Sequence, residues 1–140
     1  MSPAGITLVE RFPGVDDYRR LRLATGLSDK SEAVAQAGLG NTTYGISLLR
    51  GDEVVGMGRI VGDGACFHFV VDIGVIPELQ GQGLGKRIMD ALDAWLRVHA
   101  LPTAHVSLFA DDEAKRLYAQ YGFAQSERSV GMFYRVPPAP

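Results

Sequence analysis

Val75-Ile76-Pro77-Glu78-Leu79-Gln80-Gly81-Gln82-Gly83-Leu84-Gly85-Lys86-Arg87 is the stretch on which the reading of this chain turns. An apolar run, Phe67 to Val71 and then Ile73 to Ile76, stops at Pro77. A glycine-spaced turn follows, and a long amphipathic pattern begins near Leu84. The order strand, glycine turn, helix converges backbone N–H groups and the positive end of a helix dipole on one point, which makes an anion site. Glycines at alternate positions let the backbone approach a phosphate without Cβ interference. Lys86 and Arg87 fall in the first helical turn, where cations oppose the dipole unless a polyanion lies beside them.

Two phosphate loops are excluded by spacing. A Walker A loop needs glycine five residues before the Gly-Lys pair and Ser or Thr after it; those places hold Gln80 and Arg87. The dinucleotide fingerprint needs a third glycine where Lys86 stands. What remains, Gln80-x-x-Gly83-x-Gly85, resembles the Arg/Gln-x-x-Gly-x-Gly/Ala loop of the GCN5-related N-acetyltransferase (GNAT) superfamily. In that family the loop holds the pyrophosphate of acetyl-coenzyme A.

The C-terminal half extends the resemblance. Ala104 to Phe109 reads as a short strand. Asp111-Asp112-Glu113 puts acidic groups at a helix start, with Ala114, Leu117, Tyr118 and Tyr121 at helical spacing and Gly122 as terminator. Ala114 to Phe123 is similar to the family's Asn-x-x-Ala-x-x-Leu-Tyr-x-x-x-Gly-Phe signature. Asp111 occupies the usual Asn position; it can cap a helix but has no amide to donate to a pantetheine arm. The resemblance covers roughly residues 53 to 135. Over the first forty residues it extends only to the kind of element expected.

At 140 residues the chain is expected to be a single domain spanning 1–140. A net charge of −2 and a pI near 5.9 give no footprint for nucleic acid. No apolar run approaches the ~20 residues of a membrane span, and the N-terminus lacks a signal-peptide pattern. One cysteine and three scattered histidines offer neither a disulfide framework nor metal-ligand spacing. The expectation is a cytoplasmic protein without a metal, with no nucleic acid or membrane partner; a homodimer is compatible with it.

Along the chain, Val15 to Leu27 reads as a first helix and Ser31 to Leu39 as a second, capped from Ser28 or Asp29. Tyr44 to Leu49 and Glu53 to Val61 read as strands joined at Arg50-Gly51-Asp52, and Gly62-Asp63-Gly64 turns into the next strand. Leu84, Ile88, Ala91, Leu92, Trp95, Leu96 and His99 form the apolar stripe of the main helix. Ser129 to Val136 reads as a final strand. This order gives an α/β fold, a mixed sheet with helices on both faces. The resemblance implies the acyl-CoA N-acyltransferase fold, mostly antiparallel with about six to seven strands.

The resemblance also implies roles. Backbone groups of Ile73, Gly74 and Val75 would bind pantetheine and polarise the thioester carbonyl. Gln80, Gly81, Gln82, Gly83, Leu84, Gly85 and Lys86 would hold the pyrophosphate, with Asp111, Ala114 and Tyr118 completing the cofactor site. Tyr118 would be the general acid for the departing thiolate, since a phenol (pKa ~10) can protonate a thiolate (~8.5). Asp72, a charge within an apolar strand, is read either as a group that anchors or deprotonates the amine or as the ion-pair partner of Arg59. His68 is a second base candidate, with a structural role favoured; Cys66 reads as a buried small hydrophobe. The acceptor pocket would draw on 27–41, Tyr44 and Ser129 to Tyr134. Asp29, Glu32 and Asp72 suit a cationic amine, whereas Arg19, Arg20 and Arg22 read as a solvated helix face or an acidic-acceptor site. The activity implied is acetyl transfer from acetyl-CoA to a primary amine in a ternary complex. The alternative is a non-catalytic acetyl-CoA or nucleotide-binding module.

Overall fold

The computed structural model describes residues 5–139. Its elements run β1 (Ile6–Val9), α1 (Val15–Ala24), α2 (Glu32–Gly38), β2 (Tyr44–Arg50), β3 (Glu53–Gly62), β4 (Phe67–Val75), α3 (Leu84–His99), β5 (His105–Ser107) and α4 (Lys115–Ala119). Short 3-10 turns occupy Leu39–Asn41 and Pro77–Leu79. The chain divides into two compact units, one ending at Leu108 and one beginning at Phe109.

In the first unit the strands lie in the order β1-β2-β3-β4-β5. The first three pairings are antiparallel and β4–β5 is parallel, so the expected mixed, mostly antiparallel sheet is present with five strands. The strand expected over Ser129 to Val136 does not form. A period-two pattern supplies faces, but a strand also needs a neighbour for its backbone groups. Conversely, β1 was not anticipated: four residues are too few for a period to show.

Helices cover both sheet faces. A Cβ on Gly58 would lie 2.5 Å from Ile88 of α3, whereas one on Gly74 would lie 3.0 Å from Thr25 at the end of α1. The α3 face holds the main core: α3 packs on β2 and β3, and Leu84, Ile88, Met89 and Leu92 of the helix and Ile46 and Ile60 of the strands are all buried. Helix α1 ends at Ala24, three residues before the sequence reading, because Gly26 takes a left-handed φ of 81° and Leu27 donates back to the Arg22 carbonyl. Helix α2 is capped by Ser31, whose side chain accepts from the Val34 amide, rather than by Ser28 or Asp29.

The second unit carries α4, shorter than expected. The Asp111 backbone carbonyl accepts from Ala114 and Lys115, and Gly122 closes the turn at φ 91°. No side-chain cap from Asp111 is present. Residues 124–139 have no helix or strand.

Candidate active site

Strand β4 is bent at Asp72. Arg59 of β3 stands opposite Val71 and Met57 opposite Gly74, so Asp72 and Ile73 together face the single residue Gly58. This is a β-bulge, and Asp72 adopts φ 57°, a left-handed conformation that Asp tolerates better than most residues. Already before the bulge, past Phe69, β4 loses its other neighbour, since β5 pairs only with Phe67, His68 and Phe69. From Val70 to Val75 the β5-facing edge of β4 therefore has no strand beside it among the described residues. Backbone groups left open next to a bulge are what an extended ligand arm can bind.

That open edge runs straight into the glycine turn. Pro77–Leu79 forms the 3-10 turn, Gly81 (φ 77°) and Gly83 (φ 83°) are left-handed, and Gly83 is the N-cap of α3 without a side-chain cap. Space around Gly81 is open, with nothing within 4 Å of where a Cβ would stand. The first amides of α3 lack intrahelical acceptors by the geometry of a helix start, and they carry the positive dipole end. Gln80 does not reach into this cradle; its amide donates to the Val75 carbonyl at 2.9 Å and clamps the turn to the end of β4. Arg87 likewise has a structural partner, the Ile6 carbonyl at 2.8 Å. Lys86 lies 3.5 Å from Asp90 and stays half exposed, within reach of an anion at the helix start.

Asp72 is the centre of a buried charge network. One carboxylate oxygen accepts from Arg22 at 2.6 Å and from the Tyr18 hydroxyl at 3.1 Å; the other accepts from Arg59 at 2.7 Å. All three ionic side chains are at least 88 % buried. Arg22 also donates to the Ser28 carbonyl and hydroxyl, and Arg59 to the Thr42 hydroxyl. The bulge is thus tied to α1, the α1–α2 connection and the start of β2. The ion-pair reading with Arg59 holds, and it is only half of the network. With both oxygens committed, Asp72 keeps little acceptor capacity for a substrate ammonium. Arg22 was read as part of a solvated face; it is buried because Asp72 attracts it across 50 residues of sequence. Desolvation, followed by the Asp72 charge, pushes the Tyr18 phenol above its ordinary range.

His68 points to the other face, edge-on to Trp95 at 6.0 Å. It is 2 % exposed, and neither ring nitrogen has a hydrogen-bond partner. A buried unsatisfied nitrogen costs ~1–3 kcal/mol. We therefore expect His68→Leu to raise the denaturation midpoint, equivalent to roughly 1 kcal/mol or more; a lowered midpoint would show that the imidazole has a stabilising partner such as a buried water. Cys66 is exposed in the β3–β4 turn, contrary to its reading as a buried hydrophobe. The turn is organised by Asp63, which accepts from the Ala65 and Phe67 amides, and these bonds hold its carboxyl below the usual range.

In the second unit, Tyr118 is half-buried and packs edge-on to Phe123 at 6.5 Å. Desolvation, then the nearby Asp111 charge, raises its phenol above the ordinary value. Tyr121 lies beyond the end of α4.

A family model described as an acetyltransferase (GNAT) domain matches residues 42–125. A probable acetyltransferase of unknown function from meticillin-resistant Staphylococcus aureus superposes with a TM-score of 0.89 at 34% identity, covering 94% of this chain and 99% of that one. The chain is 37% identical over 83 residues to GCN5-related N-acetyltransferase 2, chloroplastic, of Arabidopsis thaliana, covering 59% of this chain and 31% of the relative. It is 36% identical over 83 residues to serotonin N-acetyltransferase 2, chloroplastic, of Oryza sativa subsp. japonica, covering 58% of this chain and 40% of the relative. The chain thus spans about a third to two fifths of the length of these two curated relatives. With the glycine turn and the bulged strand inside the matched residues, the chain belongs to the GNAT acetyltransferase family.

Proposed function

We propose that this chain transfers an acetyl group from acetyl-CoA to the primary amine of a small molecule or peptide, by direct attack in a ternary complex. The observation that carries the reading is the bulged, open edge of β4 leading into a left-handed glycine turn at the start of α3. The amides of the turn from Gly81 to Lys86 bind the pyrophosphate, with Lys86 adding charge. Ile73, Gly74 and Val75 hold the pantetheine arm as a strand would, and an amide of Ile73 or Val75 polarises the thioester carbonyl. Tyr118 protonates the departing thiolate, and Asp111 and Ala114 complete the cofactor contacts. Asp72 acts on the reaction by fixing the bulge; the amine loses its proton to water rather than to this carboxylate.

The loop assignment is tested with Gly83→Val. A β-branched side chain at φ 83° is strained and fills the cradle, so acetyl-CoA affinity by calorimetry should fall at least about tenfold. Gly51→Val supplies the control, because φ is 62° there and the surrounding space is open. It should lose comparable stability without losing affinity. Parental affinity in Gly83→Val would end the loop assignment. For the acceptor, a panel of aliphatic and aromatic amines, amino acids, aminoglycosides and peptides should yield coenzyme A release with at least one amine. Acetyl-CoA binding with no release across the panel would favour the non-catalytic binding module.

A further inference from the structure

We infer that the first compact unit carries a second ligand site, a groove between α3 and β1 that binds a small organic ammonium ion with an apolar body. The inference does not rest on the acyl-transfer reading, and every residue it uses belongs to that unit. It starts from the apolar stripe of α3. Leu84, Ile88, Leu92 and Leu96 of the stripe are buried, whereas Ala91 and Trp95 are half-buried and His99 is exposed. These three and Ala94 lie on one side of the helix, at spacings of three and four residues. Leu8 of β1 and Glu10, just past its end, stand across from them. The alanines are too small to fill the space between helix and strand, and a groove of about 470 Å³ is left. That volume falls within the ~300–1,000 Å³ of small-molecule sites.

The walls are aromatic, and the one charge is negative. Trp95 stacks on Tyr44 of β2, ring centres 5.4 Å apart at 14°, and on His99 at 4.6 Å and 17°. Nearly parallel rings at these separations are offset, which leaves part of each face uncovered. Such faces attract cations. Glu10 supplies the counter-charge: one oxygen accepts from the Tyr44 hydroxyl at 2.9 Å, and the other has no partner among the described residues. Burial, then the hydrogen bond to Glu10, pushes the Tyr44 phenol up to about 12, so it stays a neutral donor and adds no second negative charge. Nδ1 of His99 lies 3.0 Å from the Trp95 carbonyl. A carbonyl only accepts, so the neutral ring keeps its proton on Nδ1 and leaves Nε2 as an acceptor. Among the described residues no lysine or arginine lines the groove. Ring faces, a half-free carboxylate and a ring acceptor over an apolar floor suit an organic cation. The groove is separate from the bulge. Tyr44 stacks on α3, on one face of the sheet, whereas Asp72 is held by Tyr18 and Arg22 of α1, which covers the other.

The test uses the full chain, with its single tryptophan, Trp95, as reporter. The probe is benzyltrimethylammonium, which has no N–H and so cannot accept an acetyl group. Without acetyl-CoA it should change the tryptophan fluorescence saturably, with a Kd of about 1 mM or tighter. Benzyl alcohol, which lacks the charge, should bind at least about tenfold more weakly. Glu10→Gln keeps an acceptor for the Tyr44 hydroxyl and removes only the charge, and should weaken the cation at least about tenfold. Ala94→Met fills the groove without altering its charge, and should weaken cation and alcohol alike. Both positions are exposed, so both variants should keep the parental circular dichroism and melting temperature. A parent whose fluorescence does not saturate would overturn the inference, and so would a cation bound no better than benzyl alcohol. Parental affinity in either variant would place the cation outside this groove and overturn it equally.

Discussion

Asp72→Asn should destabilise the protein by about 3–5 kcal/mol, because it leaves two buried guanidiniums without their counter-charge. The substitution is chosen to isolate charge. Asn tolerates the left-handed backbone at this position almost as Asp does, so the bulge itself is not the first thing to break. The loss corresponds to a melting temperature lowered by on the order of 10 °C for a chain of this size. Arg22→Met should show a loss of the same order, since it too strands one member of a buried group. Kinetics on the same preparation separate structure from chemistry. If the carboxylate only positions the bulge, the Michaelis constant for the amine should not depend on acceptor charge. An unchanged melting temperature with collapsed turnover would return Asp72 to the chemistry.

Tyr118→Phe should lower turnover by about 10²-fold or more while leaving acetyl-CoA affinity near the parental value. The ring and its packing on Phe123 remain, and only the hydroxyl is lost. The pH profile adds a second reading. Burial, then the Asp111 charge, raises the phenol above the ordinary tyrosine range, so the protonated acid is lost only as pH rises through that higher folded value. Any alkaline fall in turnover from this group should therefore lie above the range of an ordinary phenol. A variant with parental turnover would make Tyr118 a packing residue.

Much of the candidate site was legible because its determinants are local. Three glycines at alternate positions, a proline before them and an apolar stripe after them specify strand, turn and helix within about twenty residues. The left-handed φ values at Gly81 and Gly83 were not part of that reading and come from the folded turn. The bulge was half legible, since a glycine inside an otherwise apolar strand, as at Gly74, often marks a bulge or a close backbone approach. The partners of Asp72 were less so. Arg59 lies 13 residues away on the neighbouring strand and was anticipated; Arg22 lies 50 residues away on a helix whose other arginines are more exposed, and no spacing rule singles it out. His68 could be read as structural, but its lack of any hydrogen-bond partner depends on what α3 brings against it.

By itself the sequence determined the order of elements from α1 to α4, the glycine turn, the main helix and its buried stripe. Backbone conformation and side-chain periodicity act within a few residues and leave their mark there. The tertiary structure decided which charges are buried together, that β1 joins the sheet, and that β4 parts from β5 past Phe69. It also decided that Ser129 to Val136, strand-like by period, forms no strand among the described residues. Pairing is a property of two segments at once: hydrogen bonds and ion pairs between distant residues form only where the fold supplies both partners.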